Sequence, residues 1–97
     1  MIPSEFIDKV YEKIGKANLS NVLKLSDDIR NEYDFGEFCT QILEKCAKNA
    51  RNNVEKCAII IPIISEYRKM WSSEYRYQQQ MIVDCCLMEL CNALRNK

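Results

Sequence analysis

From Met81 to Leu94, eleven of fourteen residues are apolar, and only Asp84, Glu89 and Asn92 interrupt them. A helix that is apolar around so much of its circumference cannot rest on a single neighbour. It is either the central element of the fold or a face that waits for a partner. The chain has 97 residues, and a domain of that size buries only roughly 60 to 65% of its unfolded surface. An uncovered apolar face would therefore weigh heavily on its solubility and its contacts.

Two glycines and two prolines leave few sites for tight hairpins, and strict apolar–polar alternation is scarce, so the chain reads as all-α. Five helices fit, at about 5–14, 19–32, 35–49, 54–71 and 73–95, in one helical domain spanning 1–97. Ser4 is placed to cap helix 1, whose stripe is Phe6, Ile7, Val10, Tyr11 and Ile14, and Gly15 stands where a left-handed stop residue is expected. Asn18 can cap helix 2, where Val22, Leu25, Ile29 and Tyr33 share a face beside polar Ser26, Asp27 and Asp28. Asp34 and Glu37 have capping-box spacing, with Tyr33 and Phe38 at the staple positions, so a new helix starts at Phe35. Ser72 or Ser73 is expected to cap the last helix.

Five of the seven residues from Ala58 to Ile64 are isoleucine, a composition that could also suit a buried strand. Pro62 excludes a central strand because it has no ladder donor. In a helix it removes the bond to the Ala58 carbonyl, which predicts a kink or a break between Ala58 and Pro62.

Fourteen basic and fourteen acidic residues cancel, yet residues 1–44 hold nine acids and five bases (net −4) while residues 45–97 hold five acids and nine bases (net +4). Such a split favours antiparallel or head-to-tail association. The chain has no histidine, which removes the commonest general base and a common zinc ligand. Six cysteines fall in apolar helical patterns, so they read as reduced thiols used as small hydrophobes, in the cytoplasm or nucleus. Cys85, Cys86 and Cys91 point in different directions around a helix and, even with Cys46, do not form a zinc set. No catalytic residue, metal ligand or cofactor is expected. The longest uncharged run, Cys57 to Ser65, is too short to span a bilayer, and no basic leader precedes an apolar segment, so no membrane association is expected.

The segment from Tyr67 to Tyr77 mixes bases with aromatics. Arg68, Lys69, Trp71, Tyr75, Arg76 and Tyr77 could anchor a protein partner or stack on single-stranded RNA, although Tyr67 and Trp71 also belong to the apolar stripe of helix 4, Cys57, Ile60, Ile64, Tyr67 and Trp71. Met88 and Leu94 on helix 5 complete the candidate partner-binding residues.

The order of motifs resembles the middle domain of the eukaryotic initiation factor 4G family. The segment Asp34-Phe35-Gly36-Glu37-Phe38-Cys39-Thr40-Gln41-Ile42-Leu43 resembles the helix of that domain in which phenylalanine precedes a cysteine and a leucine. Val54 to Tyr67 is similar to the helix that follows, ending in Glu66-Tyr67, and Tyr75 to Gln80 leading into Met81–Leu94 is similar to the polar-to-apolar helix after a charged linker. The resemblance spans about residues 18–95 and is nearest to the small stand-alone adaptors of translation, including the one that partners the histone stem-loop-binding protein. Pro62 departs from the family pattern, as does the lack of Arg and Asn-Arg-Cys elements in Ile59–Ile63. The resemblance implies a HEAT-like α-α superhelix of antiparallel hairpins, of which this chain holds about two and a half rather than roughly five. Helix 5 is then exposed on one side.

The function expected is a non-enzymatic adaptor in translation or mRNA metabolism, acting through an apolar helical face. The resemblance implies a DEAD-box helicase or another ribonucleoprotein component as partner, and the girth of helix 5 adds self-association as a homodimer. A death-domain-type adaptor with a sixth helix and a direct RNA-binding module are the alternatives.

Overall fold

The computed structural model describes residues 1–16, 18–72 and 78–96. Capping chemistry sets most of the helix starts. Asn18 Oδ1 accepts from the Asn21 amide at 2.9 Å and opens α2 (Leu19–Glu32). Asp34 Oδ2 accepts from the Glu37 amide at 2.9 Å and opens α3 (Phe35–Asn49). Asn53 Oδ1 accepts from the Lys56 amide at 3.2 Å and opens α4 (Val54–Trp71). The first helix, α1 (Ser4–Lys13), has no side-chain cap: Ser4 is its first helical residue, and Pro3, with φ of −61°, leads the chain in. Ser72 closes α4 instead of opening the next helix, its hydroxyl donating to the carbonyls of Arg68 at 3.1 Å and Lys69 at 3.2 Å. The last helix, α5, runs Gln79–Arg95; Ser73 and the segment 73–77 lie outside the described residues. Among the described residues there are five helices and no strand.

Pro62 does not break α4, which is continuous from Val54 to Trp71. Ala58 and Pro62 are both exposed, so the carbonyl that the proline leaves without a backbone donor lies on the watered side of the helix. A missing bond there is replaced by solvent rather than by strain in the core.

The apolar girth of α5 is satisfied within the chain. Its residues Ile82, Val83, Cys86, Leu87, Leu90 and Cys91 are buried, because α2 covers one side of the helix and α4 another. α3 packs on α4 and also touches α2, so α2, α3, α4 and α5 close a ring around the core, and α1 lies on the outside of α3. This corrects two expectations: α1 packs on α3 rather than pairing with α2 as a first hairpin, and α5 is one wall of the closed ring rather than the open end of a stack. The self-association argument drawn from α5 thereby loses its premise. The link that closes the ring is long in sequence: the buried Ser26 hydroxyl donates to Asp84 Oδ1, 58 residues away. A radius of gyration of 12.4 Å agrees with a closed globule of this length, for which about 12–13 Å is usual. The sixth helix of the death-domain alternative is not found among the described residues.

Gly15 is not a left-handed stop, since no glycine has positive φ. Its role is to let α5 approach. A Cβ built on Gly15 would lie 2.9 Å from the Cβ of Leu94, closer than two such atoms can sit. Gly15→Ala is therefore expected to destabilise the fold by about 1–3 kcal/mol through overpacking. Leu94→Ala should not rescue it, because alanine keeps the Cβ that clashes. Thermal melts of the single and double variants check this, and a rescued double variant would place the conflict in the leucine methyls instead.

Candidate functional site

The thiols are the first groups to test for chemistry. Cys39, Cys46, Cys57, Cys86 and Cys91 are buried and Cys85 is half-buried. Burial pushes the Cys39 and Cys46 thiols up to about 12 and raises Cys86 well above the usual range. Thiols held protonated are poor nucleophiles and poor metal ligands. They are also spread through the core: Cys57 Sγ lies 3.6 Å from the Tyr11 hydroxyl and 3.5 Å from the Cys46 carbonyl, while Cys86, raised by burial and then by Cys39, belongs to another part of it. No group of three metal-ligating side chains occurs among the described residues.

The basic–aromatic segment does not form one surface over the residues that are described. Tyr67 is half-buried, and burial together with the neighbouring Glu89 carboxylate raises its hydroxyl to about 12. Trp71 turns inward: its ring lies 5.2 Å from that of Phe35 at 60°, and its indole would meet a Cβ on Gly36 at 3.6 Å. Arg68 and Lys69 point to solvent, Lys69 with its ammonium 3.9 Å from Glu66 Oε2. Tyr75, Arg76 and Tyr77 lie outside the described residues. Met88 and Leu94 are half-buried and pack against the core, Leu94 over Gly15. A charge placed at Leu94 thus tests folding before it tests docking.

Two surfaces that the sequence did not single out emerge from the packing. On α4, Val54 is 66% exposed and Ile61 41% exposed, and the exposed Ala58 and Pro62 lie between and beside them. The spacing of four and three residues puts Val54, Ala58 and Ile61 in one row along the helix. This row runs beside the buried row Cys57, Ile60 and Ile64. The buried row is the stripe expected from the helical spacing, whereas the outer apolar row was not anticipated.

The second surface is a cleft of about 520 Å³ between α1 and α2, left open because α1 leans on α3 and α2 on α5. Lys9, Lys13 and Lys16 line one side and Lys24 the other, with Asp28 as the acid at its edge. The run Lys9, Lys13, Lys16 was visible as i, i+4, i+7 spacing, but Lys24 joins it only through the tertiary fold. α1 itself is held on α3 and α4 by polar contacts. Asp8 pairs with Lys45 at 2.8 Å, and Lys56 donates to the Tyr11 carbonyl while its ammonium sits 4.0 Å from the centre of the Tyr11 ring. Burial lowers the Lys56 pKa, and the positive charge of Lys16 lowers it further.

Among the described residues no helix is long and apolar enough to cross a membrane. No protein-family model, no curated protein and no solved structure matches the chain.

Proposed function

We propose that the chain is a non-enzymatic interaction module that docks a helix of a protein partner on the exposed apolar row of α4. The observation that supports this reading is the alignment of Val54, Ala58 and Ile61, with Pro62 beside Ile61, on one outward helix face. Single exposed apolar residues are ordinary on any surface, whereas a row at four- and three-residue spacing has the form of the ridge that one helix offers to the groove of another. The row is short, so the contact is of the transient class rather than an obligate interface. The resemblance of residues 18–95 to the initiation factor 4G middle domain would set such a module in translation or mRNA metabolism, with a DEAD-box helicase or another ribonucleoprotein component as partner.

The test is the pair Val54→Glu and Ile61→Glu. Both positions are exposed, so each substitution should change stability by no more than about 0.5 kcal/mol. Partners cross-linked through a photoreactive group at Ile61 in a native lysate should disappear with either variant and persist with Met81→Glu, a charge on the exposed part of α5. An unchanged set of partners removes α4 as the docking face. Sedimentation of the same proteins decides the homodimer: a concentration-dependent dimer abolished by Ile61→Glu makes a second copy the occupant.

A further inference from the structure

Residues 1–44 are net acidic, with nine acids against five bases, and four of those five bases, Lys9, Lys13, Lys16 and Lys24, converge on the cleft between α1 and α2. With Asp28 counted, the lining carries four positive charges and one negative, a local excess of three on a chain whose total is zero. None of the four lysines makes an ion pair within the described residues, although acids outnumber bases nearly two to one in this half of the sequence. Cations gathered without counter-charges repel one another, and a bound anion relieves that repulsion.

The other walls decide what kind of anion fits. Val10 and Ile14 line the floor of the cleft but are only 2% and 1% exposed, so its apolar surface comes from half-buried Leu25 and the lysine stems, over which the ammonium groups stand. Among the described residues no aromatic side chain lines it, so a nucleic-acid base would find no stacking platform there. The volume of about 520 Å³ lies in the range of small-molecule sites, roughly 300–1,000 Å³, and leaves room for more than one phosphate group. We infer that the cleft between α1 and α2 binds a small molecule carrying several phosphate groups, gripped by Lys9, Lys13 and Lys16 on one side and Lys24 on the other. This site is independent of the α4 docking face.

Inorganic tripolyphosphate is the probe, titrated by calorimetry into the full chain in a phosphate-free buffer at physiological salt. One saturable site is expected, with affinity that falls as salt rises. Lys13→Glu combined with Lys24→Glu should weaken it by at least about tenfold, and the paired lysine-to-arginine substitutions should keep it, because charge is what the site supplies. Lys48→Glu combined with Lys69→Glu removes two exposed charges elsewhere and should change it by less than about twofold. All four positions are exposed, and circular dichroism verifies that each variant stays helical. The inference is overturned by absence of saturable binding to the wild type, or by equal losses in the cleft and control variants. It is also overturned if an oligouridylate binds in a manner lost on Lys13→Glu and Lys24→Glu while tripolyphosphate does not compete, which would make the surface an RNA contact.

Discussion

Replacing Phe35 by alanine is expected to remove about 3–5 kcal/mol of stability, enough to leave much of the chain unfolded at body temperature. Phe35 is fully buried at the first turn of α3, its ring 6.0 Å from that of Phe38 and 5.2 Å from that of Trp71. It is the wedge between the start of α3 and the end of α4. The cavity left by alanine is bounded by two large rings whose positions are set by other contacts, so it cannot collapse cheaply. A domain of this length has roughly 5–15 kcal/mol in total, and each kcal/mol shifts the melting temperature by about 4–8 °C. Phe35→Leu, which keeps most of the volume, should lose no more than about 1.5 kcal/mol. Urea titrations of both variants check the difference. A loss below about 1 kcal/mol for alanine would show that the α3–α4 corner is not closed by this ring.

The second large effect is alkaline. In the native chain burial holds Cys39 and Cys46 protonated up to about 12 and Cys86 well above its usual range, whereas in the unfolded chain thiols ionise near 8.5. Above that pH the unfolded state binds fewer protons than the native state, so stability falls as pH rises. The contribution is intact below the unfolded-state value and is lost progressively as the pH climbs toward 12. Each thiol removes about 1.4 kcal/mol per pH unit, and three together roughly 4 kcal/mol per pH unit, so unfolding is expected between about pH 10 and 11 even under reducing conditions. Tyr67, raised to about 12 by burial and by Glu89, adds to the same slope above pH 10. Urea midpoints measured from pH 7 to 11 should bend downward near pH 9, and Cys39→Ala should lower the slope by about a third. A flat profile to pH 10.5 would mean that the thiols are not buried as described.

What could be read from the sequence is local. Asn18 and Asp34 announce their helices because a capping side chain and its amide are three residues apart, and no tertiary contact can change that spacing. The spacing of Phe38, Cys39, Ile42, Leu43, Cys46 and Ala47 in α3 is likewise local: Phe38, Cys39, Ile42 and Cys46 are buried, while Leu43 is half-buried and Ala47 exposed. What could not be read depends on distant partners. Ser26 looked like one more polar residue beside Asp27 and Asp28, and only its bond to Asp84 explains why it alone is fully buried. Gly15 carries the signature of a helix stop, yet its missing side chain answers to Leu94. Pro62 was expected to kink or break its helix, and whether α4 runs through it unbroken depends on whether the Ala58 side meets water. The two surfaces offered here, the row on α4 and the lysines of α1 and α2, share this property. Residue types were visible, and their company was not.

The distribution of the cysteines also gives the chain an internal reporter of its own opening. Two buried thiols belong to α3, one to α4 and two to α5, while Cys85 alone is partly open. Brief exposure to an alkylating reagent should tag Cys85 in the intact protein and the remaining five only as the helices carrying them part. Peptide masses from a timed series would then give the order in which the ring comes undone, with no label added to the chain.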